Sequence, residues 1–214
     1  MNLEEKIKHE LATVNTIKHY NGWADKRKEE YGYHSFTFPG VSVKGQRDPK
    51  VRLNAIQEKL HLEGKVIVDL GCNTGGMLLH LNNVTGYGFD IDKIAINAAN
   101  NISKLLGKDS NFKFYDYDFD HQPIQDVSRY IDKKPDVVFA LSIGKWIKKH
   151  RELYQHFINM GVNTFVLEIN NKQTGKSELK FFDELGWTKV TVMEKSIEDT
   201  TGNTKRKTFI ISKS

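Results

Sequence analysis

The densest chemistry in the chain lies in Lys65-Val-Ile-Val-Asp69-Leu70-Gly71-Cys72-Asn73-Thr74-Gly75-Gly76. A short apolar run enters a glycine turn and passes straight into the helical pattern of Met77 to Leu81, which brings main-chain N–H groups against a ligand. Glycine is needed where a ligand must touch the backbone. The dinucleotide fingerprint G-x-G-x-x-G requires glycine at position 73, where this chain has Asn73. Asp69, two positions before Gly71, would repel a phosphate and welcome an ammonium group or its bound water. The ligand is therefore expected to be cationic at this end.

Three further groups carry chemistry. Asp90 ends the run Tyr87-Gly88-Phe89 nineteen positions after Gly71, the distance at which a strand-end acid grips a ribose diol in nucleotide-binding sheets. Phe114-Tyr115-Asp116-Tyr117-Asp118-Phe119-Asp120 places several carboxylates past the next strand, where one could accept from an exocyclic amine of a purine. Ser142-Ile-Gly-Lys145-Trp146-Ile-Lys148-Lys149-His150-Arg151 carries four Lys/Arg residues and a tryptophan, suited to a phosphate, a carboxylate or a stacked base; the alternative is a solvent-facing basic helix with Trp146 in the core. Tyr33 and His34, in an aromatic segment, are candidates to act on an acceptor proton.

The elements that must position these groups follow from periodicity. Leu3, Ile7, Leu11, Val14 and Ile17 recur at steps of three and four behind Asn2 and Glu5, which predicts a capped amphipathic helix. Residues Gly22 to Gly45 bring aromatics and glycines together around Pro39-Gly40, and an irregular lid or short strand pair is expected. Asp48-Pro49 offers an N-cap and N1 proline for a helix to about Leu60. From Gly64 the rhythm changes to short apolar runs at Lys65 to Leu70, Tyr87 to Asp90, Asn111 to Tyr115, Asp136 to Leu141 and Thr164 to Ile169, each followed by room for a crossover. Thr188 to Met193 and Lys207 to Ser212 are joined by a segment containing Asp199 and Gly202-Asn203, and should pair as an antiparallel hairpin. The reading is an α/β fold: a seven-stranded, mostly parallel Rossmann-like sheet with a C-terminal antiparallel hairpin. Residues 1–62 form an N-terminal helical and aromatic cap, and residues 63–214 the ligand-binding domain.

Composition narrows the class. The 214 residues contain one cysteine, Cys72, which excludes a disulfide framework and a multi-cysteine zinc site. No window is apolar enough for a membrane helix, and the first ten residues lack the apolar centre of a signal peptide, so a cytoplasmic protein with no membrane partner is expected. A net charge of +5 permits, without demanding, a polyanionic partner. The segment after the fourth run lacks Asn/Asp-Pro-Pro-Tyr/Phe, a Pro-Cys nucleophile and the acid of a catechol-type metal site, and no metal is expected.

These residues resemble the class I S-adenosylmethionine-dependent methyltransferases over about Gly64 to Ser214. Asp69, Gly71 and Gly75 match the family's first motif, Asp90 its ribose acid, Asp118 its adenine-contacting acid, and Pro135-Asp-Val-Val-Phe-Ala-Leu141 its fourth strand. The resemblance implies that Asp69 orders the methionine amino end and that Gly71 to Gly75, with Cys72 and Asn73, pass beneath the cofactor. It further implies that Asp90 holds the ribose, that Ile91 packs on adenine, and that Asp118, Phe119 and Leu141 complete the cofactor pocket. Leu141-Ser-Ile-Gly-Lys-Trp-Ile is similar to a segment of the RNA 5′-methylphosphate capping methyltransferases. Tyr33 to Phe36 and Gly45 to Pro49 are similar to the lead-in of proteins related to tRNA wobble-uridine modifying enzymes. Arg47, Ser142, Lys145 and Trp146 are accordingly candidate substrate-binding residues. The implied activity is methyl transfer to an oxygen or nitrogen of RNA or of a small anionic metabolite. The rivals are a catalytically silent methyltransferase-like module that binds RNA or protein, and a NAD-dependent oxidoreductase.

Overall fold

The computed structural model of the chain describes residues 1–15, 32–169, 175–193 and 206–213. Its first helix, α1 (Leu3–Asn15), begins with a reciprocal cap: the Asn2 N–H donates to Glu5 Oε2 and the Glu5 N–H to Asn2 Oδ1, both at 2.9 Å. Strands β1 (Phe36–Phe38) and β2 (Val41–Val43) form an antiparallel hairpin across Pro39-Gly40, with Gly40 at φ 73°. Proline followed by a left-handed glycine is the requirement of a type II turn. Helix α2 (Pro49–Gln57) follows Asp48, whose carboxylate caps the Lys50 N–H at 2.9 Å. The expected strand pair and helix starts are present; Ile17, Trp23, Tyr31 and the Asp199 to Asn203 connection lie outside the described residues.

The remaining strands are β3 (Val66–Leu70), β4 (Thr85–Asp90), β5 (Phe112–Asp116), β6 (Val137–Leu141), β7 (Thr164–Glu168), β8 (Lys189–Met193) and β9 (Thr208–Ser212). They form one seven-stranded sheet in the order β5-β4-β3-β6-β7-β9-β8, parallel as far as β7 and closed by an antiparallel β8–β9 hairpin. Between β3 and β6 the strand order reverses direction, which opens a crevice at the carboxyl ends of those strands. Helices α3 (Gly76–Leu79), α4 (Lys93–Leu105), α5 (His150–Asn159) and α6 (Lys176–Glu184) supply most crossovers. The β5 to β6 connection instead uses a 3₁₀ segment, Ile124–Tyr130, which buries only Ile124 and Val127.

Both faces of the sheet are covered, as a parallel sheet requires. On one face Ile7, Leu11, Phe36, Leu53 and Ile56 of the N-terminal segment share a cluster with Ile67, Phe112 and Phe139 of the sheet and Ile96 and Ile102 of α4. On the other, Leu153 and Phe157 of α5, Phe182 of α6 and Trp187 pack on Val138, Phe165 and Ile211. Among the described residues no helix is long and apolar enough to cross a membrane.

Candidate functional site

The glycine turn leaves β3 at Leu70 and passes through three left-handed residues, Gly71 (φ 72°), Asn73 (φ 50°) and Gly75 (φ 74°). Asparagine is among the few side chains that adopt this conformation readily, so Asn73 does locally what glycine would. Its N–H donates to Asp90 Oδ2 at 2.8 Å, while Asp90 Oδ1 accepts from the Asp92 N–H at 2.9 Å. Asp90 thus ties the end of β4 to the turn. Asp92 caps α4 through the N–H groups of Ile94 and Ala95. Cys72 lies beneath the turn, its thiol pushed well up by burial and by the nearby Asp90 and Asp69.

Three buried polar atoms on or against this turn have no hydrogen-bond partner among the described residues: Asp69 Oδ2, Thr74 Oγ1 and His34 Nδ1. Buried polar atoms are ordinarily paired, so three together mark a place for a ligand. Burial pushes the Asp69 carboxyl up to about 8, with Arg52 drawing it back and Asp90 adding to the rise. Burial also raises Asp90 above the usual carboxylate range, against the pull of the Asp92 and Asn73 N–H groups. A cation would draw the Asp69 carboxyl into its ionised form, and a diol can hydrogen-bond the Asp90 carboxyl.

His34 reaches the turn from the cap. Its backbone bridges to Arg47, with Ser35 N–H to Arg47 O and Arg47 N–H to Tyr33 O at 2.8 Å. Gly45 permits that approach, because a Cβ there would collide with the His34 carbonyl. The imidazole lies over Gly76, where an added Cβ would meet its Cγ at 2.5 Å. Burial, followed by the charges of Arg52, Arg47 and His80, holds its pKa well below the usual value, so it is neutral. His80 fastens the same region from the other side: its Nδ1 lies 2.7 Å from Gly76 O, its Nε2 accepts from the Thr37 N–H at 3.2 Å, and its ring stacks on Phe38 at 4.5 Å.

At the end of β6, Ser142 stands in a left-handed conformation (φ 64°), unusual for serine. Its hydroxyl bonds the Glu168 carboxylate at the end of β7 and accepts from Arg206 Nη1 at 3.0 Å. Glu168 also receives Arg47 at 3.1 and 3.3 Å, Arg52 at 2.8 Å and Arg206 at 3.3 Å. Burial would raise its pKa, but Arg52, Arg47 and the Ser142 hydroxyl outweigh it and hold the carboxyl at about 2. Arg47 is only 1% exposed. The sequence reading placed Arg47 and Ser142 toward substrate; in the structure both join this cluster. Tyr33 adjoins it, its hydroxyl 3.4 Å from Arg47 Nη1.

Trp146 is 73% exposed, not in the core, with Lys145 Nζ 5.3 Å from its ring centroid. Asp120 pins the turn that follows by accepting from the Lys148 and Lys149 N–H groups at 3.2 Å. Ile91, 68% exposed, extends from the end of β4 beside Asp90. Leu141 is half-buried at the end of β6. Asp118 accepts from the Asp120 and His121 N–H groups and the His121 ring, a local turn that holds its carboxyl below the usual value against partial burial. The Phe119 ring is buried against Phe89 and Tyr117. Among the described residues no cluster of His, Cys, Asp or Glu could hold a metal ion.

Sequence reading missed Thr74, Arg52, Arg206 and Glu168. Glu168 left one signal, an acid inside the apolar run Thr164 to Ile169, since a buried charge must have partners.

A family model described as a methyltransferase domain matches residues 61–173, more than half of the chain. No curated protein sequence matches it. Among solved structures, EvdMO1 aligns with a TM-score of 0.57 at 13% identity, over 83% of this chain and 43% of that longer one. A SAM dependent methyltransferase from Aquifex aeolicus aligns with a TM-score of 0.54 at 14% identity, over 78% of this chain and 89% of that one. Magnesium protoporphyrin IX methyltransferase from Synechocystis PCC 6803, with SAH bound, aligns with a TM-score of 0.57 at 14% identity, over 78% and 82%. At these identities the likeness is one of fold.

Proposed function

Since the chain belongs to the methyltransferase-domain family and is a class I S-adenosylmethionine-dependent enzyme, we propose that it methylates an oxygen or nitrogen of an anionic acceptor, either RNA or a small metabolite. The observation that carries the cofactor assignment is the paired arrangement of Asp69 and Asp90 at the ends of the adjacent strands β3 and β4, beside one glycine turn, the first with a buried, unpartnered oxygen. Asp69 faces the cofactor's ammonium, Asp90 its ribose hydroxyls and Ile91 its adenine. Gly71, Cys72, Asn73 and Gly75 support it from below, and Leu141 and the backbone at Asp118 and Phe119 close the far side. The nicotinamide rival is disfavoured by Asn73, where the dinucleotide fingerprint has glycine, and by the acid at Asp69, and the silent-module rival by the presence of every turn residue the ligand would need.

When bound, the sulfonium supplies an electrophilic methyl group. The chain's task is to align an acceptor in line with the carbon–sulfur bond and to exclude water. The cap, residues 1–62, covers the 63–214 domain for this purpose. His34, over Gly76, is better placed to touch the cofactor than the acceptor, which leaves Tyr33 as the group to receive or relay an acceptor proton. Trp146, Lys145 and the following basic turn are assigned to the acceptor, because an exposed indole flanked by cations offers a stacking face and an anion partner together.

Calorimetry tests both halves. Wild-type protein should bind S-adenosylmethionine, and Asp90→Ala should weaken it at least tenfold, about 1.4 kcal/mol. Retained affinity would sink the ribose assignment. If RNA is the acceptor, RNA affinity should fall steeply with added salt, and fall further when Lys145, Lys148 and Lys149 become alanine. Salt-insensitive or absent RNA binding assigns the site to a small anionic molecule.

A further inference from the structure

Ser142 leaves β6 with φ 64°, a left-handed conformation that its Cβ disfavours and that glycine takes freely. Bonds to β7 oppose that cost. The Ser142 N–H donates to Glu168 O at 2.9 Å, and its hydroxyl donates to the Glu168 carboxylate while accepting from Arg206 Nη1 at 3.0 Å. Glu168 is itself fixed, because Arg47 and Arg52 grip the same fully buried carboxylate from the cap. The direction of the chain after β6 is therefore set from β7. Two turns depend on it. The buried side chain of the next residue, Ile143, lies against the glycine turn, where a Cβ added to Gly71 would stand 2.8 Å from Ile143 Cγ2. The Ile143 carbonyl accepts from the N–H groups of Trp146 at 2.7 Å and Ile147 at 3.0 Å, which closes the turn that carries the exposed indole. Ile143 thus meets the cofactor turn with its side chain and fastens the Trp146 turn with its main chain.

We propose that Ser142 is a positioning residue for methyl transfer: bonded to Glu168, its left-handed backbone holds Ile143 on the glycine turn and the Trp146 turn outward, and so fixes the acceptor surface relative to the cofactor. An in-line displacement needs that relation, since a misplacement of about 1 Å costs on the order of a hundredfold in rate. Backbone strain persists where the surrounding structure over-determines it, and here two arginines of the cap and one of the approach to β9 do so through a single carboxylate. The inference rests on the reading of the Trp146 turn as the acceptor surface and extends it, because Ser142 acts through Glu168 and Ile143 rather than by contact with either ligand.

The test separates the backbone from the hydroxyl with two variants of the full chain, read by amide hydrogen exchange and by calorimetry with S-adenosylhomocysteine. Both variants lose the hydroxyl; Ser142→Gly is at ease in the left-handed conformation and Ser142→Ala is not. Ser142→Ala should exchange the Trp146 and Ile147 amides about tenfold faster and bind S-adenosylhomocysteine about tenfold more weakly, the factor that a left-handed residue with a Cβ concedes to glycine. Ser142→Gly should stay within about threefold of wild type in both readings. Equal impairment of the two variants would overturn the proposal, as would a Ser142→Ala protein that exchanges faster uniformly along the chain, the mark of lost stability alone. If Ser142→Ala fails to fold, wild type decides: its Trp146 and Ile147 amides should be protected, and slowed further by S-adenosylhomocysteine, whereas exchange at the rate of an open chain would refute the held turn. Failure of the cofactor reading looks different, since wild type would then bind no S-adenosylhomocysteine while the exchange contrast between the variants persisted. The acceptor reading is decided separately, by RNA binding to wild type.

Discussion

Asp69 carries the sharpest consequence at the scale of a single residue. Its carboxyl, near 8 in the ligand-free protein, is largely protonated at pH 7, and pairing with an ammonium requires it to ionise. Cofactor binding at pH 7 should therefore release a proton, seen as a dependence of the calorimetric heat on the buffer's ionisation enthalpy. The release should disappear above about pH 9, where the group is already ionised, and its absence at pH 7 would refute the pairing. Stability has a matching sign. The folded state binds the proton more tightly than the unfolded chain, so stability of the ligand-free protein declines as pH rises from about 4 to about 8. Asp69→Asn should abolish cofactor binding yet raise the melting temperature at pH 9, by about 2–4 °C for each kcal/mol relieved. Asp69, Gly71, Gly75 and Asp90 were legible in the sequence because they lie on two strand ends at a spacing the fold sets. The place of His34 was not, since it depends on Gly45 allowing a backbone pairing and on Gly76 receiving the ring.

Between elements, Glu168 joins α2, the Arg47 segment, the end of β6 and the approach to β9. Glu168→Gln leaves arginines buried around a neutral amide, and loss of one partner of a buried pair costs about 3–5 kcal/mol. The variant should melt well below wild type at pH 7. Because the folded carboxyl titrates near 2 and an unperturbed one near 4.5, the difference should be constant above about pH 5 and shrink as pH falls toward 2. A difference that does not change with pH would mean the glutamate acts through shape alone. The strands were legible to within one or two residues, because short β-rich runs between turn signals leave few alternatives. The arginine partners were hidden because Arg52 lies 116 residues from Glu168 in sequence and Arg47 lies 121. The 3₁₀ crossover was hidden too: a stretch long enough for a helix need not form one when it has only two apolar anchors.

At the scale of the whole molecule, the cap is not a detachable lid. Ile7, Leu11, Phe36, Val41 and Val43 belong to the same buried cluster as Ile67 and Phe139. Each such side chain contributes about 1.5–3 kcal/mol on burial, and five of them together rival a typical net stability of about 5–15 kcal/mol. Scanning calorimetry should show one cooperative transition for the full chain, and a chain lacking residues 1–45 should lose it. Two separate transitions would show that cap and sheet fold independently. The sequence pattern divides at about residue 62, where the hydrophobic period changes from helical to strand-like. Packing takes no account of that change, because apolar surface on either side of it is removed from water in one cluster.

Trp146 also provides an optical handle. Its indole stands in water while that of Trp187 is sealed among Phe165 and Phe182, so the two report on different surroundings. In a Trp23→Phe background, which leaves these two of the three tryptophans, emission from Trp146 should lie to the red, respond to a collisional quencher such as iodide, and vanish selectively in Trp146→Phe. An acceptor that stacks on the ring would shield it from the quencher. Candidate acceptors can thus be ranked by fluorescence alone, with neither a label nor a turnover assay, whichever of their atoms receives the methyl group.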